Sequence, residues 1–332
     1  MPTTKISDLF IPELAVTYTE LESTAKNAFF MSGVAVSDPS VTPLMDATQG
    51  GQLISMPYFN PITDEEANIG TDDNTKKSSP RNINTGYETA VKTYQNTSFS
   101  VMDLARMAAG ANPMTAINNG LNKYWTNQAE TRIIHAANGI VADSLANHEG
   151  DLVYDATKDG DGLLDASAMN NAAGTLGESL MDIKAICVHP VVFTQLRNRN
   201  QITTKQEGAT RTLFNVYGDY IIFVDKNMPK VEEEGGAVSY YSFMFGAGAF
   251  TFNYGNPGVE YEVDRDPASG NGAGEELLYS RRCDLILPRG YQTTAAGAVN
   301  GLKLDQLKAA ETWTRVWTDR ERIKFAAIKS KG

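Results

Sequence analysis

The residues able to perform acid–base, metal or phosphate chemistry are few and widely spaced in this chain of 332 residues. Its three histidines, His135, His148 and His189, have no acidic or cysteine partner at a metal-ligand spacing. Zinc-binding helix motifs, CxxC pairs, phosphate-binding glycine loops and nucleophile elbows are all missing from the sequence. Catalytic groups can converge from distant positions, so this pattern gives an enzyme no support without excluding one. We predict no catalytic residue, no metal site and no cofactor.

Two short segments resemble binding motifs but fail their templates. In an EF-hand counted from Asp155, the third position is Thr157 and the twelfth is Ala166. The template needs an acidic or amide ligand at the third position and a glutamate at the twelfth. The run from Gly246 to Ala249 lacks the third glycine and the following helix of a dinucleotide fingerprint. An Asp/Gly turn and close backbone packing are the better interpretations.

Composition argues against several classes of protein, although a local basic face remains possible. Acidic residues outnumber basic ones by 40 to 29, for a formal charge of −11, whereas nucleic-acid-binding domains gain affinity from cations that neutralise phosphates. No apolar run approaches the ~20 residues of a membrane helix, and the first residues lack the continuous apolar segment of a secretory signal. We therefore expect a cytosolic product. Cys187 and Cys283, each in an apolar strand-like run, are expected to be buried free thiols.

The strongest secondary-structure signal predicts a long helix over residues 113–138. Asn112 suits the cap position and Pro113 the first helical position. An apolar stripe follows at steps of three or four residues, formed by Met114, Ile117, Leu121, Trp125, Ala129, Ile133 and Ala137. Gly139 is expected to end the helix in a left-handed cap. A helix of ~40 Å is long enough to brace a whole small domain.

Two segments before this helix lack a core of their own. Residues 1–45 carry a helical stripe from Leu14 to Phe29 but little mass to cover it. Residues 46–100 are predicted to form strands 53–59 and 87–99 around a long polar tip. The tip is either a disordered insertion or a projecting hairpin ordered by a neighbouring subunit. In the second interpretation the charged side chains that contact the neighbour are Asp64, Glu65, Glu66, Asp72, Asp73, Lys76, Lys77 and Arg81.

The part of the chain after Asp182 has a β-rich pattern with short helices. The predicted elements are a strand over 183–188, a helix from His189-Pro190, a buried strand over 220–224, a strand segment over 240–252, a helix from Asp305 through Trp317 and a strand over 323–328.

Strands 259–263 and 277–287 are predicted to form a hairpin with a densely charged turn end. These charges are either solvated or a subunit contact, and they belong to Arg265, Asp266, Glu275, Glu276, Arg281 and Arg282.

Three segments, taken in order, resemble the tailed-phage major capsid proteins, the Hong Kong 97-type fold family. They are SFSVMDLARMAAGANPMTAINNGLNKYWTNQAETRIIHAANGI, then DIKAICVHPVVFTQLRNRN with NVYGDYIIFVDKNMP, then FMFGAGAFTFNYGNPGVEYEVDRDP with LLYSRRCDLILPRGY. The resemblance spans nearly the whole chain and implies an α+β fold. It implies an N-terminal arm (1–45), an extended loop (46–100), a peripheral domain with the spine helix 113–138 (101–180 with 256–285) and an axial domain (181–255 with 286–332).

The resemblance also implies a function. The chain would be a structural protein and not an enzyme, self-assembling as pentamers and hexamers into an icosahedral shell that encloses double-stranded DNA without reading its sequence. Its implied partners are copies of itself, a separate scaffolding protein, a portal and decoration proteins, with no membrane. Its implied location is the virion capsid, assembled in the host cytoplasm. The charged groups of the extended loop and of the hairpin are then candidate intersubunit contacts.

Two alternatives stay open at this stage. An encapsulin-type cargo compartment shares the fold that the resemblance implies. A protein of a different class, a hydrolase or binding protein, would use residues 60–84 as a mobile lid over a pocket with convergent polar groups.

Overall fold

A computed structural model of the protein describes most of the chain after residue 28. The described residues are 29, 32–62, 66–78, 80–109, 112–207, 212–218, 220–233, 236–293 and 301–332, with the backbone alone for 203–207 and 212–215. The predicted stripe from Leu14 to residue 28 and the charged residues Asp64 and Glu65 lie outside this part of the chain.

Strands dominate the described residues. They are β1 (Ala35–Val36), β2 (Leu53–Phe59), β3 (Thr85–Met102), β4 (Val153–Asp155), β5 (Ile183–Val188), β6 (Thr203–Glu207), β7 (Thr212–Tyr217), β8 (Tyr220–Val224), β9 (Lys230–Glu232), β10 (Val238–Gly246), β11 (Phe250–Gly255), β12 (Tyr261–Asp266), β13 (Glu275–Pro288), β14 (Tyr291–Thr293), β15 (Trp313–Arg315) and β16 (Phe325–Lys331).

The helices are fewer. They are α1 (Asp103–Ala109), α2 (Pro113–Asn147), α3 (Ala166–Gly174) and α4 (Pro190–Asn198), with short helical turns at Thr42–Met45, Ala156–Lys158, Gly177–Asp182, Ser269–Gly272, Leu304–Leu307, Ala310–Thr312 and Arg320–Arg322. This content confirms the predicted α+β class.

The strands form two large sheets. The first sheet has the order β1-β11-β13-β3-β2, with β12 paired to β13. Its strand β3 is 18 residues long and pairs with β2 near one end and with β13 along the rest. The predicted hairpin of the extended loop is therefore an outgrowth of this sheet. Its two strands are found where the sequence predicted them.

The second sheet has the order β4-β16-β10-β5-β8-β7-β6, with β9 paired to β10. Strands β5 and β8 are parallel, which requires a crossover, and α4 lies in that connection. His189 caps α4 by accepting a 3.3 Å hydrogen bond from the Val191 amide. The strand and helix predicted over 183–198 are confirmed.

One strand joins the two halves of the core. In β10, Phe243 and Phe245 belong to the apolar cluster under α2 and the first sheet, whereas Met244 belongs to the cluster that also holds α3 and α4. Alternate residues of a strand point to opposite faces, so β10 separates the two clusters and contributes to each.

Two segments pack differently from the division that the resemblance implied. Residues Ala156 to Leu176 contribute side chains to the cluster of the second sheet, although they were grouped with the spine helix. Strand β11, grouped with the axial domain, pairs with β13 in the first sheet. We therefore group each segment with the sheet on which it packs.

The long helix extends beyond its predicted end. Helix α2 has 35 residues, and Asn112 caps it by accepting a hydrogen bond from the Met114 amide. The prediction that Gly139 ends the helix is wrong, because Gly139 lies inside it against the side chain of Trp313 and the carbonyl of Leu307. The absence of a side chain here allows the chain's tail to pack against the helix.

The tail itself differs from the helix predicted from Asp305 through Trp317. Short helical turns at Leu304–Leu307 and Ala310–Thr312 lead directly into β15. The buried Trp313 indole nitrogen donates a 2.8 Å hydrogen bond to the carbonyl oxygen of Leu307, which folds the tail back on itself. The apolar residues of the tail have helical spacing, but packing against α2 determines its conformation.

A buried ion pair also ties α2 to the first sheet. The Nε atom of Arg132 lies 3.5 Å from a carboxylate oxygen of Asp284, and both side chains are buried. Arg132 donates a further hydrogen bond of 3.0 Å to the Leu302 carbonyl, and Gln95 donates to Asp284. Burial raises the pKa of Asp284 above its usual value, against the opposing effects of Arg132 and Gln95.

Cys187 and Cys283 are buried free thiols, as predicted. Burial raises the pKa of the Cys187 thiol well above its usual value and that of Cys283 to about 11. Because the thiolate is the nucleophile, we expect both to react with a soluble disulfide reagent on the order of 100-fold more slowly than free cysteine at neutral pH. The reaction is followed by absorbance, with the urea-unfolded chain as the control. Rapid labelling of either thiol in the folded chain would contradict the buried placement.

Candidate functional site

The tip of the extended loop, described for residues 60–62, 66–78 and 80–84, is a hairpin without regular strands. Its two limbs are joined by the Asn60 amide, which donates 2.8 Å to the Asn84 carbonyl, and by Asn68, which donates 3.0 Å to Ser78. Arg81 donates to the Glu66 carbonyl oxygen. These contacts join the two limbs of the hairpin within one copy.

The tip is exposed, and its apolar side chains have little to pack against. Ile69 is 85% exposed, Ile62 73% and Ile83 60%, and Phe59, the last residue of β2 before the tip, is 77% exposed. Lys76 and Lys77 are exposed as well. Exposed apolar side chains on a projecting loop suit a surface that another molecule covers.

Four of the second group of predicted contact residues lie at the turn end of the β12–β13 hairpin: Arg265, Asp266, Glu275 and Glu276. Arg281 and Arg282 lie instead at the open end of the hairpin, opposite Asn96 and Gln95 of β3. Several of the turn-end charges are paired within the chain. Arg265 binds Asp103 of α1, and Arg106 binds Asp103 at 2.6 Å and Glu276 at 3.3 Å. Glu275 accepts a 2.8 Å hydrogen bond from Ser269. These contacts hold α1 against the hairpin.

Asp266 and the arginines of the hairpin have local contacts too. Asp266 accepts a 3.0 Å hydrogen bond from the Ala268 amide. Arg281 forms a 2.8 Å ion pair with Glu262, and Arg282 donates 3.1 Å to the Tyr261 hydroxyl. The sequence singled out the two arginines but not these partners.

Asp103 and Arg106 were missed by sequence reasoning as members of the charged group. They precede the long helix in the chain, some 170 positions before Glu276. A single sequence carries no signal that joins residues so far apart. Only the pairing of Glu275 with Met102, at the end of β3, brings them together.

The structure separates the two groups of predicted contact residues. The loop tip follows Phe59 and precedes Thr85, at one end of β3, whereas the charged turn lies beside Met102, at the other end. A strand of 18 residues, at ~3.3 Å per residue, is roughly 55 Å long. The chain therefore presents a charged group at each end of one long ribbon.

The histidines have structural contacts. The Nδ1 atom of His135 is 3.0 Å from the Leu304 carbonyl oxygen, and His189 lies against the ring of Tyr240 at 4.6 Å. His148 lies 3.5 Å from Asp143. In the part of the chain that the structure describes, no group of three or more His, Cys, Asp or Glu side chains is placed to hold a metal ion.

No helix among the described residues combines the length and apolarity needed to cross a membrane.

The arrangement of two sheets, a long helix and a projecting loop is shared with known proteins. The major capsid protein of Bacillus phage SPP1 is 28% identical over 334 residues, which cover 100% of this chain and 99% of that protein. The capsid of Ralstonia phage GP4 superposes with a TM-score of 0.63 at 11% identity, over 97% of this chain and 96% of that one. The chain has the Hong Kong 97-type capsid fold. No protein-family model matches the chain.

The predicted resemblance to tailed-phage major capsid proteins is therefore confirmed. The encapsulin alternative has a more distant counterpart in the SrpI encapsulin complex of Synechococcus elongatus. That protein shares the capsid fold with a TM-score of 0.51 at 8% identity, over 95% of this chain and 91% of that one. Phage capsid proteins and encapsulins share this fold, but the relative that matches in sequence over its full length is a phage major capsid protein.

Proposed function

We infer that this chain is the structural major capsid protein of a tailed bacteriophage, whose copies assemble into an icosahedral shell. The observation that carries this inference is the capsid fold over nearly the full chain, together with a sequence relative that is a phage major capsid protein and matches from end to end. A single copy leaves Ile62, Ile69 and Ile83 of the loop tip exposed, which suits a subunit that other copies complete.

The parts of the chain would share the work of assembly. Residues 1–45 act as an arm that reaches another subunit, and residues 46–100 lie over an adjacent copy. The long helix and the β12–β13 hairpin build the peripheral domain. The second sheet builds the axial domain, at the centre of pentamers and hexamers. Because side chains of residues 156–176 pack on the second sheet and β11 pairs in the first, we assign those two segments accordingly.

The enclosed molecule is double-stranded DNA, held without sequence recognition. A shell with a formal charge of −11 per copy repels phosphates, so packaged DNA can slide along the wall. The shell would form in the host cytoplasm with a separate scaffolding protein, a portal and decoration proteins. Its role is mechanical and involves no catalytic residue.

Expression of the chain alone and together with its neighbouring genes tests this function. We expect closed shells or capsomer rings in negative-stain images, and light scattering that reports particles far larger than one subunit. A protein that remains monomeric in both conditions would contradict the function and favour the binding protein with a lid. Particles that form alone and retain a neighbouring cargo protein would favour the encapsulin.

Reversal of the hairpin charges tests the contact assigned to the peripheral domain. Arg281→Glu with Arg282→Glu places carboxylates beside Glu262 and Tyr261, and we expect closed-shell yield to fall about tenfold because each contact is repeated at many positions. The isolated subunit should keep its circular dichroism spectrum, since the Arg281–Glu262 pair is exposed and contributes little to folding. Normal particle yield from this variant would show that the hairpin arginines do not contribute to the interface.

A further inference from the structure

The outward face of β12, together with the residue just before the strand, carries a row of carboxylates, which we call the acidic row: Glu260, Glu262, Asp264 and Asp266. The register pairs Glu262 with Tyr279 and Asp264 with Leu277. The alternate residues of β13 face α2, since Ser280 accepts a 2.9 Å hydrogen bond from Trp125 of that helix. The acidic row therefore lies on the face of the sheet that points away from α2.

This row is incompletely neutralised within the chain. Glu262 pairs with Arg281 at 2.8 Å. Asp264 and Asp266 accept hydrogen bonds from backbone amides nearby, those of Arg265 and Ala268. Among the described residues, Glu260, Asp264 and Asp266 have no cationic side chain within ion-pair distance. All are exposed, so they are free to accept cations from another molecule.

One segment of the extended-loop tip carries the complementary charge. Residues 76–81, which we call the basic segment, contain Lys76, Lys77 and Arg81 and no acidic residue. Within the described part of the chain, Lys76 and Lys77 have no carboxylate within ion-pair distance, and both are exposed. Lys76 and Lys77 thus face outward on the loop, and the carboxylates of Glu260, Asp264 and Asp266 face outward in the acidic row.

Strand β12 is also an open edge. It pairs with β13, and no second strand among the described residues covers its other side. Two copies of β12 paired antiparallel around Glu262 would oppose like charges along the row, which discourages self-pairing. A cationic segment removes that repulsion. The edge therefore favours an extended basic partner over a second β12.

We propose that the basic segment of one copy binds the acidic row of a second copy, head to tail. This rests on the proposed function as a shell subunit and names the two surfaces that meet. The groups lie at opposite ends of β3, so a contact between two copies joins different surfaces and is heterologous. Such a contact, repeated around an axis, closes into a ring, the arrangement that five- and six-fold capsomers require.

A charge exchange between the two surfaces tests the pairing. Lys76→Glu with Lys77→Glu, and separately Glu260→Lys with Asp264→Lys, should each lower the yield of closed shells about tenfold, since one weak pair is repeated in every contact. All four substitutions together should restore the yield to within about threefold of the unmodified chain. Lys76→Arg with Lys77→Arg keeps the charge of the basic segment and should leave the yield unchanged.

Two results would overturn the pairing. One is a normal shell yield from the loop variant. The other is a combined variant that assembles no better than either parent. Absence of shells from the unmodified chain, alone and with its neighbouring genes, contradicts instead the proposed function on which the pairing rests.

A disulfide trap supplies a readout independent of yield. Lys77→Cys with Asp264→Cys should give ladders of disulfide-linked chains on non-reducing gels after oxidation of assembled shells. The two native thiols are buried, so they should not contribute cross-links of their own. Each single substitution is the control and should give no ladder. If the doubly substituted chain assembles and runs as a monomer, the two surfaces do not meet between copies and the proposal is wrong.

Discussion

Replacement of Gly139 by alanine is expected to destabilise the folded subunit by about 3 kcal/mol. A Cβ atom at this position would overlap the Leu307 carbonyl oxygen and the Trp313 indole nitrogen. Those two atoms are hydrogen-bonded at 2.8 Å in the buried contact between α2 and the tail. The tail must move to accept the methyl group, and urea unfolding of unassembled subunits measures the loss.

The same substitution elsewhere on the same helix provides the matched control. Gly120 is exposed in α2, and a Cβ added there meets no atom within 4 Å. Gly120→Ala should therefore stabilise the subunit by roughly 0.5–1 kcal/mol, the ordinary difference in helix propensity. Equal effects at the two positions would contradict the assigned role of Gly139.

Replacement of Arg132 by methionine is expected to destabilise the subunit by roughly 3–5 kcal/mol. The substitution leaves the buried carboxyl of Asp284 without its cation and removes the hydrogen bond to the Leu302 carbonyl. Urea unfolding measures this loss. A loss below about 1 kcal/mol would contradict the buried ion pair, since that is the range of an exposed one.

The loss should depend on pH with a defined sign. Burial already raises the pKa of Asp284, and removal of Arg132 removes an effect that lowers it. An acid whose folded pKa is raised binds its proton more tightly in the folded state, so its contribution to stability falls as pH rises through that pKa. Arg132→Met should therefore be less harmful near about pH 5 than near about pH 8.

A second substitution tests the cause of that loss. Asp284→Asn in the Arg132→Met background removes the uncompensated charge and leaves an amide that can still accept the hydrogen bond from Gln95. The double variant should regain more than half of the stability lost in the single variant. If it regains none, the loss arises from packing of the arginine and not from the charge of Asp284.

The strands were predictable where local pattern and burial agree. The runs that became β2, β5 and β8 combine β-branched or aromatic residues with nearby turn signals, and the hairpin of β12 and β13 shows clear alternation. Each element was expected within a few residues of its observed bounds. Local propensity and tertiary packing favour the same conformation in these segments.

The errors share a physical cause. Glycine is a common residue at a helix end, and the apolar residues of the tail have helical spacing. The conformation of each segment nevertheless depends on the contact between them, across more than 160 positions of sequence. Close approach of Trp313 requires a glycine inside α2 and an irregular tail. A contact between positions so far apart in the sequence leaves no local pattern in either segment that would reveal it.

The candidate interface was predictable in part. The charged residues of the loop tip and hairpin were identifiable because few apolar residues around them could form a core. The structure places the described ones on the surface. The partners Asp103 and Arg106 and the acidic row depend on the register between β3, β13 and β12. Register between distant strands is set by the folded sheet, so a single sequence could not supply it.

An electron cryomicroscopy reconstruction of particles formed by the unmodified chain tests directly whether its copies build a capsid. We expect a closed icosahedral shell of pentamers and hexamers, in which the extended loop of each copy lies across an adjacent one. A chain that stays monomeric alone and with its neighbouring genes would contradict it. So would a particle in which each extended loop contacts only its own copy.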